Sequence, residues 1–132
     1  MSELLPLLLR GTLVTVQIAA LGTLLAIVMA CVATAAKLSP FAPLRWIGNV
    51  YVEVFRGTSL LVQLFWFFFV LPLPPISISM TPFQVAIIGL GLHYGAYGSE
   101  ILRGALRSVP GGQYEAALAL NLPALTRLRR II

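Results

Sequence analysis

The stretch TLVTVQIAALGTLLAIVMACVATAA, residues 12–36, runs for 25 residues without a charged side chain. Wound as an α-helix it would be about 37 Å long, enough to cross a hydrocarbon layer of about 30 Å with some tilt. A cleaved signal peptide, with VMAC (Val28 to Cys31) as a lipoprotein-type site, is the alternative. The apolar run is too long for a signal's core, and Glu3 and Arg10 cancel where a positive leader segment belongs. Residues 12–36 are therefore read as a membrane span. Composition agrees, since 59% of the 132 residues are hydrophobic and only 10% charged, with a mean hydropathy of +0.96. Such values lie far from a soluble domain's balance.

Working outward, Arg56 and Glu100 enclose 43 uncharged residues, too many for one crossing. Pro72, Pro74, Pro75 and Pro82 interrupt them, and proline does not continue a helix. The expectation is an all-α membrane protein, a polytopic transmembrane helix bundle in one domain over 1–132. Its spans fall at about 12–36, 51–71 and 83–102, with 72–82 as the turn and a cytoplasmic loop at 110–132. Lys37 and Arg45 follow the first span; Arg103, Arg107, Arg127, Arg129 and Arg130 follow the third. The excess of basic residues marks both as cytoplasmic and puts the N-terminus outside. Net charge +5 is thus a matter of topology. The arginines flank apolar spans rather than interleaving with aromatics on a soluble face, so nucleic acid is not expected as a partner.

Gly22, Ala26 and Ala30 recur every fourth residue and Gly91 and Gly95 form a G-x-x-x-G pair, ridges that let helix backbones approach. Cys31, the lone cysteine, is expected to pack in a helix seam. The glycine-rich GLGLHYGAYG (residues 89–98) lacks the strand, the G-x-G-x-x-G spacing and the G-K-[ST] element of nucleotide sites. His93 and Ser99 lie roughly 120° apart around a helix and make no catalytic dyad there. One His and one Cys supply no ordinary zinc cluster. No catalytic residue and no metal ligand is therefore expected, and no cofactor bound by this chain. Glu53 with Arg56, and Glu100 with Arg103, are three apart and can meet on one helix face. Interface anchoring is the ordinary role of such pairs; a place in a substrate pathway, with Tyr97, is the functional one. Tyr94 and Gln63 are weaker candidates for the same polar cavity.

In GGQYEAALALNLPALTRLRR, residues 111–130, Pro110 and two glycines break the third helix, and a short helix is expected over Gln113 to Leu120. Eight residues are marginal alone in water, so this helix needs a partner. Tyr114, Ala117 and Leu118 share one face toward the bundle while Glu115 points elsewhere. Asn121 suits the left-handed residue that ends a helix, and Pro123 suits the first turn of the next.

This helix, bend and helix resembles the coupling loop of bacterial ABC-importer permeases, whose pattern is E-A-A, three residues, G, nine residues, I-x-L-P. Glu115, Ala116 and Ala117 supply E-A-A, Asn121 stands at the glycine position, and Ile131 follows after nine residues; the final L-P lies past the end. YVEVFRGTSLLVQLFWFFFVLP and GAYGSEILRGALRSVPGGQYEAA resemble the polar amino-acid uptake permeases, with Ser59 where that family has proline. Ser59 and FWFFFVLP also resemble, more weakly, permeases for ectoine-type compatible solutes. The resemblance covers about Gly11 to Ile132, and the family's chains are longer by at least one or two spans, so an N-terminal portion or a truncated product is expected. It implies a transport subunit without its own ATPase site, in a bacterial inner membrane. Its partners would be ABC ATPase subunits that use the ATP, a second permease, identical or homologous, a solute-binding protein outside, and membrane lipid. A small structural membrane subunit would explain the spans but not the loop; a channel would need a selectivity ring that the uncharged stretch does not offer.

Overall fold

The computed structural model describes residues 3–132, and every regular element in them is helical. Helix α1 (Leu4–Leu38) is 35 residues long and apolar all round: leucines and valines from Leu4 to Val32 stay exposed on several faces, as expected of a helix surrounded by lipid or other spans. It begins eight residues before the expected span and stops at Ser39–Pro40. It is the one described helix long and apolar enough to cross a membrane by itself.

The second span differs from expectation. Helix α2 (Ala42–Gly57) starts nine residues before Tyr51, and after the extended residues Thr58 and Ser59 a new helix α3 (Leu60–Phe65) turns away, continued by a π-helical turn at Trp66–Val70. The two halves are bent by 107°. The cause is local: Gly57, Thr58 and Ser59 are residues that favour caps and turns over helix interiors. No proline marks the break, and the mostly apolar residues that follow it conceal it from a hydropathy reading.

Helix α4 (Pro82–Arg107) opens with a capping box. Gln84 N–H donates to Thr81 Oγ1 at 3.3 Å, and Thr81 N–H to Gln84 Oε1 at 3.1 Å, with Pro82 in the first turn. This arrangement serves otherwise orphaned donors reciprocally. The helix runs five residues past the expected end at 102. It has the length to span, yet glycines, His93, Ser99 and Glu100 dilute its apolarity, and it does not count among the candidate spans.

Helices α1 and α4 form the most extensive interface. The two small-residue ridges meet there. A Cβ placed on Gly91 would lie 2.5 Å from Leu25, one on Gly95 2.6 Å from Met29 Cβ, and one on Gly98 2.9 Å from Ala30 Cβ, so backbone approach depends on the missing side chains. Thr34 Oγ1 donates to Ala30 O at 2.7 Å and to Ser99 O at 3.2 Å across the same seam. Val52 of α2 completes a small core with Ala33 and Ala96, flanked by Tyr51 and Phe55. Cys31 is exposed rather than packed in the seam, because the α4-facing side of α1 is occupied by Gly22, Ala30, Ala33 and Thr34.

Candidate functional site

Two clusters stand out. The first lies where α1, α2 and α4 converge beside Lys37. The Lys37 stem crosses α2 at Gly48, where a Cβ would sit 3.1 Å from Lys37 Cγ, and its ammonium reaches Glu100 Oε1. Arg103 donates to Glu100 Oε2 at 2.6 Å, so the carboxylate joins charges from two helices. The pairing of Glu100 with Arg103 is as expected from their spacing. Glu53 and Arg56 are not paired: Arg56 turns to α4 instead, 3.9 Å from Glu100 and 5.4 Å from the Tyr97 ring. The Tyr97 ring on the facing helix seats the Arg56 guanidinium, and an exposed i,i+3 pair is worth too little to draw it back.

Lys37, Asn49, Glu53, Arg56, Tyr97, Glu100 and Arg103 line a cleft of about 540 Å³ whose walls are predominantly polar. Among the described residues Glu53 makes no ion pair, and Arg103 Nε is buried without a hydrogen-bond partner. All four residues expected in a substrate pathway, Glu53, Arg56, Tyr97 and Glu100, thus meet at one cleft. The sequence reading treats Lys37 as a topology charge and gives Asn49 no role; their partners lie too far along the chain for spacing to reveal them. Tyr94 faces elsewhere, lining an apolar groove along α1, and Gln63 is buried against His93 rather than in the cleft. Ser99 Oγ donates to Ala96 O, so His93 and Ser99 serve different neighbours. Among the described residues no group of His, Cys, Asp or Glu is placed to hold a metal ion.

The second cluster is the loop after α4. Helix α5 (Gly111–Ala119) begins two residues earlier than expected, with Gly111 and Gly112 helical and Pro110 as its cap residue. Asn121 takes φ of 50°. Its N–H donates to Leu118 O at 2.9 Å, and that of Leu122 to Ala117 O at 3.1 Å. These are the paired bonds of a Schellman stop, which uses a left-handed residue to occupy the last carbonyls. Helix α6 (Ala124–Arg130) starts after Pro123 and returns toward α5, with the Arg127 guanidinium 5.5 Å from the Tyr114 ring. Ala117 is 1% exposed, whereas Tyr114 and Leu118 are about half exposed. The expected three-residue buried face is therefore one alanine wide, because Tyr114 is engaged by Arg127 instead. Glu115 and Ala116 are exposed, and Ile131 caps α6.

Residues 4–132 match the family profile described as binding-protein-dependent transport system inner membrane component. The L-cystine transport system permease protein TcyB of Bacillus subtilis is 38% identical over 127 residues, covering 96% of this chain and 53% of that protein. A probable amino-acid ABC transporter permease of Sinorhizobium fredii is 40% identical over 126 residues, covering 92% and 53%. The chain spans about half the length of the curated relatives it matches. The crystal structure of an amino acid ABC transporter with histidines aligns with all of this chain and 61% of that one, at a TM-score of 0.85 and 29% identity. The helical permease architecture expected from the resemblance is thus the architecture observed.

Proposed function

The chain belongs to the family of binding-protein-dependent transport system inner membrane components, and we propose that it forms the N-terminal part of a permease subunit in an ATP-driven importer of polar amino acids. The reading rests above all on one observation: a nine-residue helix carrying exposed Glu115 and Ala116 and buried Ala117, stopped by left-handed Asn121 directly after α4. A short helix of this kind gains stability in a partner's groove. In this proposal an ABC ATPase pair grips α5, with Glu115, Ala116, Ala117, Asn121 and Ile131 as the contact segment. ATP is bound and used by that partner and not by this chain. Closure of the ATPases swings this permease and a second one, identical or homologous, between inward-open and outward-open states. Cargo comes from a solute-binding protein outside the inner membrane, on the side of the N-terminus.

The polar cleft is the part of the pathway that this chain supplies. Arg56 offers donors for a carboxylate and Glu53 an acceptor for an ammonium, the two ends shared by all free amino acids. The names of relatives, L-cystine for one and arginine for another from Bacillus subtilis, 36% identical, favour amino acids as cargo. Compatible solutes such as ectoine carry the same carboxylate, with a delocalised cation in place of the ammonium, and fall within the proposed class.

The test is co-purification of the full-length permease with its ATPase from detergent-extracted membranes, comparing native protein with Glu115→Lys and Asn121→Val. Loss of the ATPase from a permease that is still folded supports the loop assignment. Undiminished capture by both variants would overturn it and favour a structural subunit.

A further inference from the structure

The break between α2 and α3 leaves the carbonyls of α2's last turn in need of partners, since a helix provides none internally and hydrocarbon supplies no water. Side chains answer. Thr58 Oγ1 donates to Val54 O at 2.8 Å. Gln63, in the first turn of α3, reaches back across the bend, its Nε2 donating to Phe55 O at 3.0 Å and to Thr58 Oγ1 at 2.6 Å. Tyr97 Oη lies 3.5 Å from Arg56 O, a long contact from α4 to the same turn.

These bonds decide a proton's position. Phe55 O can only accept, so the amide nitrogen of Gln63 must face it and the amide oxygen must face away. That oxygen lies 3.1 Å from His93 Nδ1 on α4. Because an amide oxygen cannot donate, Nδ1 carries the hydrogen. Gln63 is 8% exposed and His93 9% exposed, so a broken pair would leave buried polar groups without partners, which is costly. Removing Gln63 also takes the side-chain donor from Phe55 O, and removing His93 leaves the Gln63 amide oxygen without its partner.

We infer that Gln63 and His93, with the histidine proton on Nδ1, form a polar clamp that sets the bend between α2 and α3 and fastens it to α4, making the Thr58–Ser59 break a hinge that follows α4. His93 acts through Gln63 and is a positioning residue. The clamp stands on this chain's own geometry and does not depend on the cargo or the ATPase proposed above.

Two measurements on the full-length permease in lipid nanodiscs test it. Nitrogen-15 NMR of labelled histidine, with the His93 resonance identified by difference against His93→Asn, should show a protonated Nδ1. Proton occupancy on Nε2 alone overturns the inference and needs no variant to fold in order to be read. Spin labels at exposed Ile47 on α2 and Leu61 on α3, in a Cys31→Ala background, report the bend as a distance. Native protein and His93→Asn, whose amide donor stands near the place of Nδ1, should share one narrow distance. His93→Leu and Gln63→Leu should lose it, while His93→Gln, whose donor is displaced toward Nε2, should not restore it. An unchanged distance in both leucine variants would overturn the clamp.

Discussion

Replacing Gly95 with alanine adds one methyl group in the close seam between α1 and α4. The new Cβ would meet Met29 Cβ at 2.6 Å, Tyr51 Oη at 3.0 Å and Ala26 O at 3.3 Å. Carbon pairs settle at about 3.5–4.0 Å, so the helices must part by about 1 Å. Neither a Cβ nor a backbone carbonyl can rotate out of the way. The displacement would also strain the hydrogen bond from Tyr51 Oη to Leu92 O, 2.6 Å long. Overpacking of this kind costs about 1–3 kcal/mol, offset by up to about 1 kcal/mol from alanine's helix propensity. Gly104 on the same helix supplies the control, because a Cβ there meets nothing within 4 Å and Gly104→Ala gains only the propensity term. The difference between the two variants, about 1–3 kcal/mol, isolates the overpacking. Reversible SDS unfolding of the full-length permease from mixed micelles, followed by circular dichroism, measures it. A Gly95→Ala protein as stable as Gly104→Ala would refute the close seam.

The remaining expectations concern caps and charges. Asn121→Gly should keep the stop of α5 and ATPase capture, whereas Asn121→Val, forced into left-handed geometry at about 1–2 kcal/mol, should lose helix protection over Gln113–Leu118 in hydrogen exchange. Glu100→Gln should lower the thermal midpoint in detergent by leaving Lys37 and Arg103 without their shared carboxylate, and a second change, Lys37→Met, should recover part of the loss; no change with Glu100→Gln would show that the cluster is incidental. Thr81→Ala removes half of the capping box, should cost about 1 kcal/mol, and should speed amide exchange in Phe83 to Val85 while leaving the far end of α4 as it was.

How far the sequence is legible depends on how local each cause is. The span in α1 declares itself because nothing but length and the absence of charge is needed. Asn121 is readable for a similar reason: its left-handed turn is determined by itself and the four residues before it. The small-residue ridges identify the packing faces, though not that Gly91, Gly95 and Gly98 would meet Leu25, Met29 and Ala30. The bend at Thr58 goes unseen because Gly57, Thr58 and Ser59 break the helix without any proline, and hydropathy averages over them together with the apolar residues that follow. Lys37 with Glu100, and Gln63 with His93, join residues 63 and 30 positions apart. Only the folded topology brings such partners together. Arg56 has two anionic options, Glu53 nearby in sequence and Glu100 across the cleft, and spacing alone favours the wrong one.

Helix α4 is an unbroken rod from its capping box to Arg107, 26 residues or about 39 Å at 1.5 Å per residue. A rod of that length tilting by only about 5° about one end carries the other through about 3 Å. The residues that hold the α2–α3 bend and those lining the polar cleft sit along its middle and lower part, and α5 hangs from its tip. A push at the tip therefore reaches them as a fraction of its own displacement, set by leverage rather than by any chain of rearranging side chains.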